Sequence, residues 1–399
     1  MTSEKDPGVV TDESAHSPND ELARINEKAE AIRTACNLRD IDALVSHATS
    51  EGGFLRDELR QLVWPILLQS DKDTQIKLSP GSGLPPHRDE EQVQLDVNRS
   101  FVYYPECSDD ELSARKLELS RVIRQVLRNY PVLCYFQGYH DIVQVLLLVL
   151  GEERSAPAVV CLSLFRIRDY MLPSLSPTVK HLQLIPAIIE TADKALYQRL
   201  SGIRPFFALS ATLTLYAHNI RKYSDIARLF DFLLAWEPVV SIYLFVAIVL
   251  SRRKELLEIP EDEPEMLHFT LSKLPQPLDL ECLISRAVQL FRDHPPESLS
   301  FGVWRKIPSY SVLKTTRDLM RTQSTNTALE IFQKQTKQLR NEERREQFVG
   351  FLWSQRRTIG SVAVAVFVGA VSIWIRKRGL DNNIQSYLHY LRVFFQGRL

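Results

Sequence analysis

Apolar residues recur at three- and four-residue steps along almost the whole chain from about residue 20, and two-residue alternation is scarce. This periodicity predicts helices and not strands. ELARINEKAEAIRTAC, behind the cap-like Ser17-Pro18-Asn19-Asp20, places Leu22, Ile25, Ala29 and Ile32 on one face. GGFLRDELRQLVWPILL sets Leu55, Leu59, Leu62 and Val63 at helical spacing, with Arg56 and Arg60 one turn apart. KLSPGSGLPPH (77–87) is dense in Pro and Gly and reads as a loop. SARKLELSRVIRQVLRNYP predicts an amphipathic helix closed by Pro131, with Leu117, Val122, Ile123, Val126 and Leu127 inward. DIVQVLLLVLG is apolar nearly all round, the pattern of a central helix. Further helical patterns run over about 157–171, 183–200, 206–219, 223–234, 238–252, 263–274 and 279–292. No repeat of fixed period interrupts them. The predicted fold class is all-α, multi-helical.

Two apolar stretches raise the question of a membrane. PVVSIYLFVAIVL (238–250) is 13 residues long, short for a span, and predicts a buried helix. TIGSVAVAVFVGAVSIWI (358–375) carries no charge over 18 residues and is bracketed by Arg356-Arg357 and Arg376-Lys377-Arg378. At about 1.5 Å per residue it covers roughly 27 Å, near the core of a thin bilayer. A buried core helix or a Val-rich strand is the alternative to a transmembrane helix here. The expected organisation is a disordered leader (1–20), a helical domain (21–295), a linker and charged helical stalk (296–357), the span (358–375) and a short tail (376–399). HPPESLSFGVWRKIPSY reads as loop at the start of the linker, and YLHYLRVFFQGRL in the tail suits a membrane interface.

Charge then narrows the function. Lys+Arg and Asp+Glu both total 49, so no bulk attraction draws the chain to nucleic acid. Five scattered cysteines without a C-x-x-C argue against a disulfide framework and against a zinc site, and suit a reducing compartment. The first twenty residues have neither a basic n-region nor an apolar core, so they are not a cleavable signal peptide. G-x-x-x-x-G-K-[ST], G-x-G-x-x-G, H-E-x-x-H and G-x-S-x-G are all missing. A nucleotide site, metal site or activated nucleophile of its own is therefore not expected.

Two stretches stand out instead. In VQLDVNRSFVYYP (93–105), Asp96 lies one turn before Arg99, a spacing at which a carboxylate holds a guanidinium in one orientation. In YFQGYHD (135–141), Gln137 sits between bulky rings and a glycine. Taken singly, the first reads as a local salt bridge and the second as a satisfied polar residue at a helix start; His140-Asp141 reads as a structural pair. Together they have a sharper reading. A γ-phosphate under attack by water needs positive charge on its oxygens and an amide to orient the water. Arginine brings a permanently charged donor fork, and glutamine both donates and accepts.

Over about residues 50–250 the chain resembles the TBC (Tre-2/Bub2/Cdc16) family of Rab GTPase-activating proteins. The resemblance rests on LRDELRQLVWPILL (Arg60, Trp64), VQLDVNRSF (Asp96, Arg99), NYPVLCYFQGYHDIVQVLLLVL (Tyr135, Gln137, Gly138) and ARLFDFLLAWEP (Arg228, Asp231), in that order. It implies an arginine finger at Arg99, a glutamine finger at Gln137 and a brace at Asp96. It also implies supporting or Rab-binding roles for Arg60, Trp64, Tyr135, Gly138, Arg228 and Asp231, with Arg60 either structural or in contact with the switch region. The chain departs from the family pattern where Phe101 and its neighbours lack a Pro, where Cys134 replaces Gly, and where Tyr139-His140 replaces Met-Asn. What the resemblance implies is a catalytic activator with no cofactor of its own, GTP and Mg²⁺ belonging to the partner. That partner would be a Rab of the ER-to-Golgi step, met at the endoplasmic reticulum membrane with the helical domain facing the cytosol. The alternative is a membrane-anchored adaptor that binds a Rab or another partner without catalysis.

Overall fold

A computed structural model describes residues 18–71, 76, 78–318 and 324–354. The described residues are helical and contain no strand. The chain divides into two compact units, Met1–Gln335 and Thr336–Leu399. No helix among the described residues is long and apolar enough to cross a membrane, and the expected span at 358–375 lies outside them.

The first half runs α1 (Pro18–Leu38), α2 (Ile41–Thr49), α3 (Asp57–Leu68), α4 (Glu90–Asn98), α5 (Asp109–Asn129) and α6 (Tyr139–Phe165). Local chemistry sets their starts. Asp40 caps α2 through Ala43 N, and Ser108 with Glu111 forms a capping box on α5. α5 buries Leu119, Val122, Ile123, Val126 and Leu127, a stripe at three- and four-residue steps. Leu117 falls on the opposite face and is 61 % exposed, against expectation. Leu22 and Ile25 are exposed likewise, whereas Ala29 and Ile32 on the same helix are buried. Leu55 precedes α3 in a left-handed turn rather than starting the helix. α6 is central, with Gly151 at φ 75° interrupting it where the apolar run ended.

The second half runs α7 (Ser176–Leu182), α8 (Leu184–Ala192), α9 (Lys194–Leu200), α10 (Leu209–Leu213), α11 (Tyr223–Ala235), α12 (Val240–Ser251), α13 (Arg253–Glu258), α14 (Pro264–Ser272) and α15 (Leu280–Asp293). α12 is the 238–250 stretch: Val240 to Val249 are all buried, and it packs on α8 and α15 as a core helix. The 183–200 pattern splits because Asp193 turns extended and caps α9 through Leu196 N. The 206–219 pattern is helical only to Leu213. Leu215 and Tyr216 then take positive φ, and the Tyr216 hydroxyl is drawn to the Ser241 carbonyl at 2.7 Å. That tertiary anchor overrides a helical periodicity and leaves residues 214–220 as an irregular wall.

The segment expected to be a loose linker packs against the domain. α16 (Val303–Lys306) and α17 (Val312–Thr315) bury Val303, Trp304, Val312 and Leu313. The wholly buried Asp169 holds α17, accepting from the Ser311 hydroxyl, Val312 N and the Gln335 amide of α18 (Thr325–Ser354). Arg168 donates to the Tyr310 carbonyl and the Thr315 hydroxyl. Burial pushes the Asp169 carboxyl up, but hydrogen bonds to His181 and Gln335 and the Arg168 charge outweigh it and keep the carboxyl low, at about 2. Loop-like composition did not reveal this because its partners lie more than a hundred residues upstream.

A second buried carboxylate joins the two halves. Asp231 on α11 accepts from Phe54 N (3.0 Å), Trp64 Nε1 (2.9 Å) and the Arg60 guanidinium, whose Nε lies 3.0 Å from Oδ1. Burial pushes this carboxyl above its ordinary range, and the Arg60 charge opposes that. Gly53 is required beside it, since a Cβ there would come within 2.6 Å of Asp231 Oδ2. Arg228, one turn earlier, donates to Glu281 of α15 and to the Ala48 and Ser50 carbonyls. Removing one partner of a buried pair strands the other charge. Asp231→Asn is expected to cost about 3 kcal/mol, read as a lower urea midpoint; an unchanged midpoint would remove Asp231 from the framework.

Candidate functional site

α4 ends at Arg99, whose backbone (φ −103°, ψ 11°) leaves the helix while its N–H still reaches Asp96 O and Val97 O. The side chain turns outward and is 56 % exposed, yet its Nη2 donates to Asp96 Oδ1. Asp96 itself is wholly buried. Its Oδ1 also accepts from Gln92 Nε2 (3.0 Å), and its Oδ2 accepts from the Tyr135 hydroxyl (2.8 Å). Burial, then the Asp96 hydrogen bond, push the Tyr135 phenol far up, so it remains a donor. A carboxylate with both oxygens engaged cannot swing, and the guanidinium is aimed from a fixed base.

Just beyond Arg99 the chain turns sharply. Phe101 is at φ 60°, and its N–H is held by the buried Gln144 Oε1 at 3.0 Å. Gln144 lies on α6 and was not singled out from the sequence; the signal was one polar residue inside an apolar helix. Gln137 sits immediately before α6, exposed, and among the described residues its amide has no hydrogen-bond partner. Gly138 caps α6 at φ 101°, and a Cβ there would meet Thr214 Cγ2 at 2.5 Å. Gly138 therefore lets the Gln137 turn press against the 214–220 wall.

Arg99 and Gln137 line one groove of about 740 Å³ with Phe101, Tyr103, His140, Asp141, Thr214 and His218. Of the residues predicted from sequence, Arg99, Gln137 and Gly138 line it, and Asp96 and Tyr135 stand directly behind Arg99. Arg60, Trp64, Arg228 and Asp231 do not reach it. They form the buried framework described above, where the Arg60 guanidinium is engaged by Asp231 and Asp57. Cys134 is committed too, with its N–H on Met171 O and Arg88 donating to its sulfur. Among the described residues no cluster of His, Cys, Asp or Glu is placed to hold a metal ion.

The groove thus presents a guanidinium and an amide outward from a helical scaffold. A profile of the Rab-GTPase-TBC domain family matches residues 57–257. The chain belongs to that family, and the class this defines is that of Rab GTPase-activating proteins. It is 35 % identical over 324 residues to GTPase-activating protein gyp10 of Schizosaccharomyces pombe, covering 80 % of this chain and 86 % of that one. It is 36 % identical over 283 residues to human TBC1 domain family member 20, covering 70 % of each. A solved Chlamydomonas flagellar RabGAP TBC domain superposes with a TM-score of 0.49 at 17 % identity, covering 68 % of this chain and 94 % of that one.

Gly138→Ala is expected to cost about 1–3 kcal/mol, from the positive φ and the Thr214 methyl together. Adding Thr214→Ser, which removes that methyl, should restore part of the loss in thermal unfolding. A Gly138→Ala chain as stable as wild type would show that the close approach imposes nothing.

Proposed function

We propose that this chain stimulates GTP hydrolysis on a Rab GTPase by supplying Arg99 and Gln137 in trans. The observation that carries the reading is the pairing in one groove of an exposed guanidinium, anchored through a buried carboxylate, with an exposed amide presented by a glycine turn. In-line attack on the γ-phosphate spreads charge over its oxygens, and a guanidinium neutralises it where it develops. The Gln137 amide accepts from the attacking water and donates to the phosphate, which orients the nucleophile. Asp96, Tyr135 and Gln92 hold Arg99 so that little side-chain freedom is lost at the transition state. GTP and Mg²⁺ belong to the Rab, and the chain is a catalytic activator with no hydrolytic centre of its own. The second reading, an adaptor that binds through the same groove, would use Arg99 and Gln137 for affinity alone.

The test is single-turnover GTP hydrolysis across a panel of GTP-loaded Rab proteins. An arginine supplied in trans is worth roughly 10³–10⁵ in rate. Arg99→Ala and Gln137→Ala should each lower stimulation by about 10³. Gln137→Ala should leave the unfolding midpoint unchanged because its side chain is exposed, whereas Arg99→Ala should lower it, because the buried Asp96 loses its cation. Stimulation that survives Arg99→Ala, with Rab binding lost instead, would favour the adaptor.

The place of action is part of the same proposal. An uncharged 18-residue stretch between two basic clusters at 358–375 supports an anchor in the endoplasmic reticulum membrane, with the helical domain in the cytosol where a Rab of the ER-to-Golgi step is met. Protease added to intact microsomes should digest residues 18–354. Protection of that region would overturn the topology.

A further inference from the structure

The 214–220 wall of the groove carries a group that the reading above does not use. His218 lies in the irregular segment after α10, 62 % exposed, and lines the same cavity as Arg99. Its Nδ1 is 3.0 Å from Oδ2 of Asp141, a carboxylate at the start of α6 that is only 15 % exposed. The other oxygen of Asp141 faces His140 Nε2 at 3.2 Å, and His140 Nδ1 meets the Tyr135 hydroxyl at 3.1 Å. A continuous polar chain therefore runs Arg99, Asp96, Tyr135, His140, Asp141, His218, with a cation-bearing side chain exposed to the groove at each end.

The two histidines are not alike. Burial pushes His140 down, against the pull of Asp141 and Asp96, so it is the neutral member. Tyr135 spends its single proton on Asp96, and the neutral His140 ring has one N–H to offer between the phenol oxygen and Asp141. The Asp141 charge is then answered by His218, whose imidazole the Asp141 hydrogen bond raises and the Arg99 guanidinium lowers. The charged or titratable groups facing His218 are these: Asp141 and His140 from α6, and Arg99 from the end of α4. Arg221, three residues along, is turned over the Tyr103 ring at 5.1 Å. With Nδ1 bound to Asp141, the imidazolium keeps its Nε2–H free for a ligand.

We propose that His218, oriented by Asp141, is a third contact of the groove, binding an anionic oxygen of the docked GTPase or its nucleotide in the cavity that Arg99 and Gln137 also line. Asp141 and His140 are positioning residues in this arrangement. The inference rests on the proposed activity and adds a titrating donor to it. An exposed ion pair made only for the fold would not need a half-buried carboxylate shared between two rings at the lip of the site. Asp141 stabilises the protonated ring. Its population is full below the ordinary histidine range and falls as pH rises through the raised value.

The experiment measures kcat and KM of the full-length chain on the Rab it stimulates best, from about pH 6.5 to 8.5, beside histidine-labelled NMR titrations of the free protein. Wild-type kcat/KM should fall with rising pH. His218→Gln should be about 5–10-fold weaker at the acid end and flat across the range, as loss of one charge-assisted hydrogen bond predicts. Asp141→Asn should lower the His218 midpoint, and His218→Gln should raise that of His140, shifts that a purely structural pair would not link to turnover. A loss in kcat puts the anionic oxygen on the reacting phosphate, and a rise in KM puts it on a carboxylate of the GTPase surface. His218→Gln with wild-type kinetics, while Arg99→Ala is inactive, overturns this inference and spares the activity. A wild-type chain that stimulates no Rab overturns both.

Discussion

A carboxylate without access to water must be surrounded by donors, or its ionised form is too costly to keep. Asp231 meets that condition with a backbone N–H, an indole and a guanidinium, all drawn from residues 54–64. The requirement docks α3 against α11, although some 170 residues separate them. α3 in turn packs on α6, which carries the Gln137 turn at its start, and the 214–220 wall leads into α11. The groove is therefore the space left between elements that a buried charge has already fixed.

The same logic repeats at smaller scale inside the site. Asp96 is as buried as Asp231, but one of its donors is different in kind, for Arg99 reaches it from the solvent side. A buried anion paired to an exposed cation converts core rigidity into surface orientation. Asp169 uses a third version, tying α17 and Gln335 of α18 to the domain. In each case neither the hydrophobic pattern nor helix propensity requires the carboxylate. What each supplies is a unique register between elements that apolar packing alone would let slide.

Most of the fold was legible because helical periodicity is local. The stripe on α5, the interruption at Gly151 and the buried nature of α12 could all be read from spacing and length. Expectation and structure part in two ways, by angular position on a helix and by a distant partner. Leu117 has apolar chemistry but the wrong angular position, and residues 214–220 have helical spacing but are pulled out of helix by the Tyr216–Ser241 anchor. Of the site, Arg99, Asp96, Gln137 and Gly138 were visible because each sits in a short segment whose spacing is itself the signal. Gln144 and His218 were not, since their partners Phe101 and Asp141 lie 43 and 77 residues away.

The sequence by itself determined an all-helical chain, a neutral charge balance that leaves nucleic acid without a bulk attraction, and an arginine and a glutamine each in a pointed local setting. Only the tertiary structure decided that the two share one groove, and that Arg60, Trp64, Arg228 and Asp231 stand behind it as framework. The reason is physical. Helix formation and turn geometry depend on neighbours a few residues apart, whereas burial of a charge is settled by whichever donors the folded chain brings to it. Asp96 and Asp231 look alike in sequence. Their donors alone make one the brace of an exposed guanidinium and the other a joint of the core.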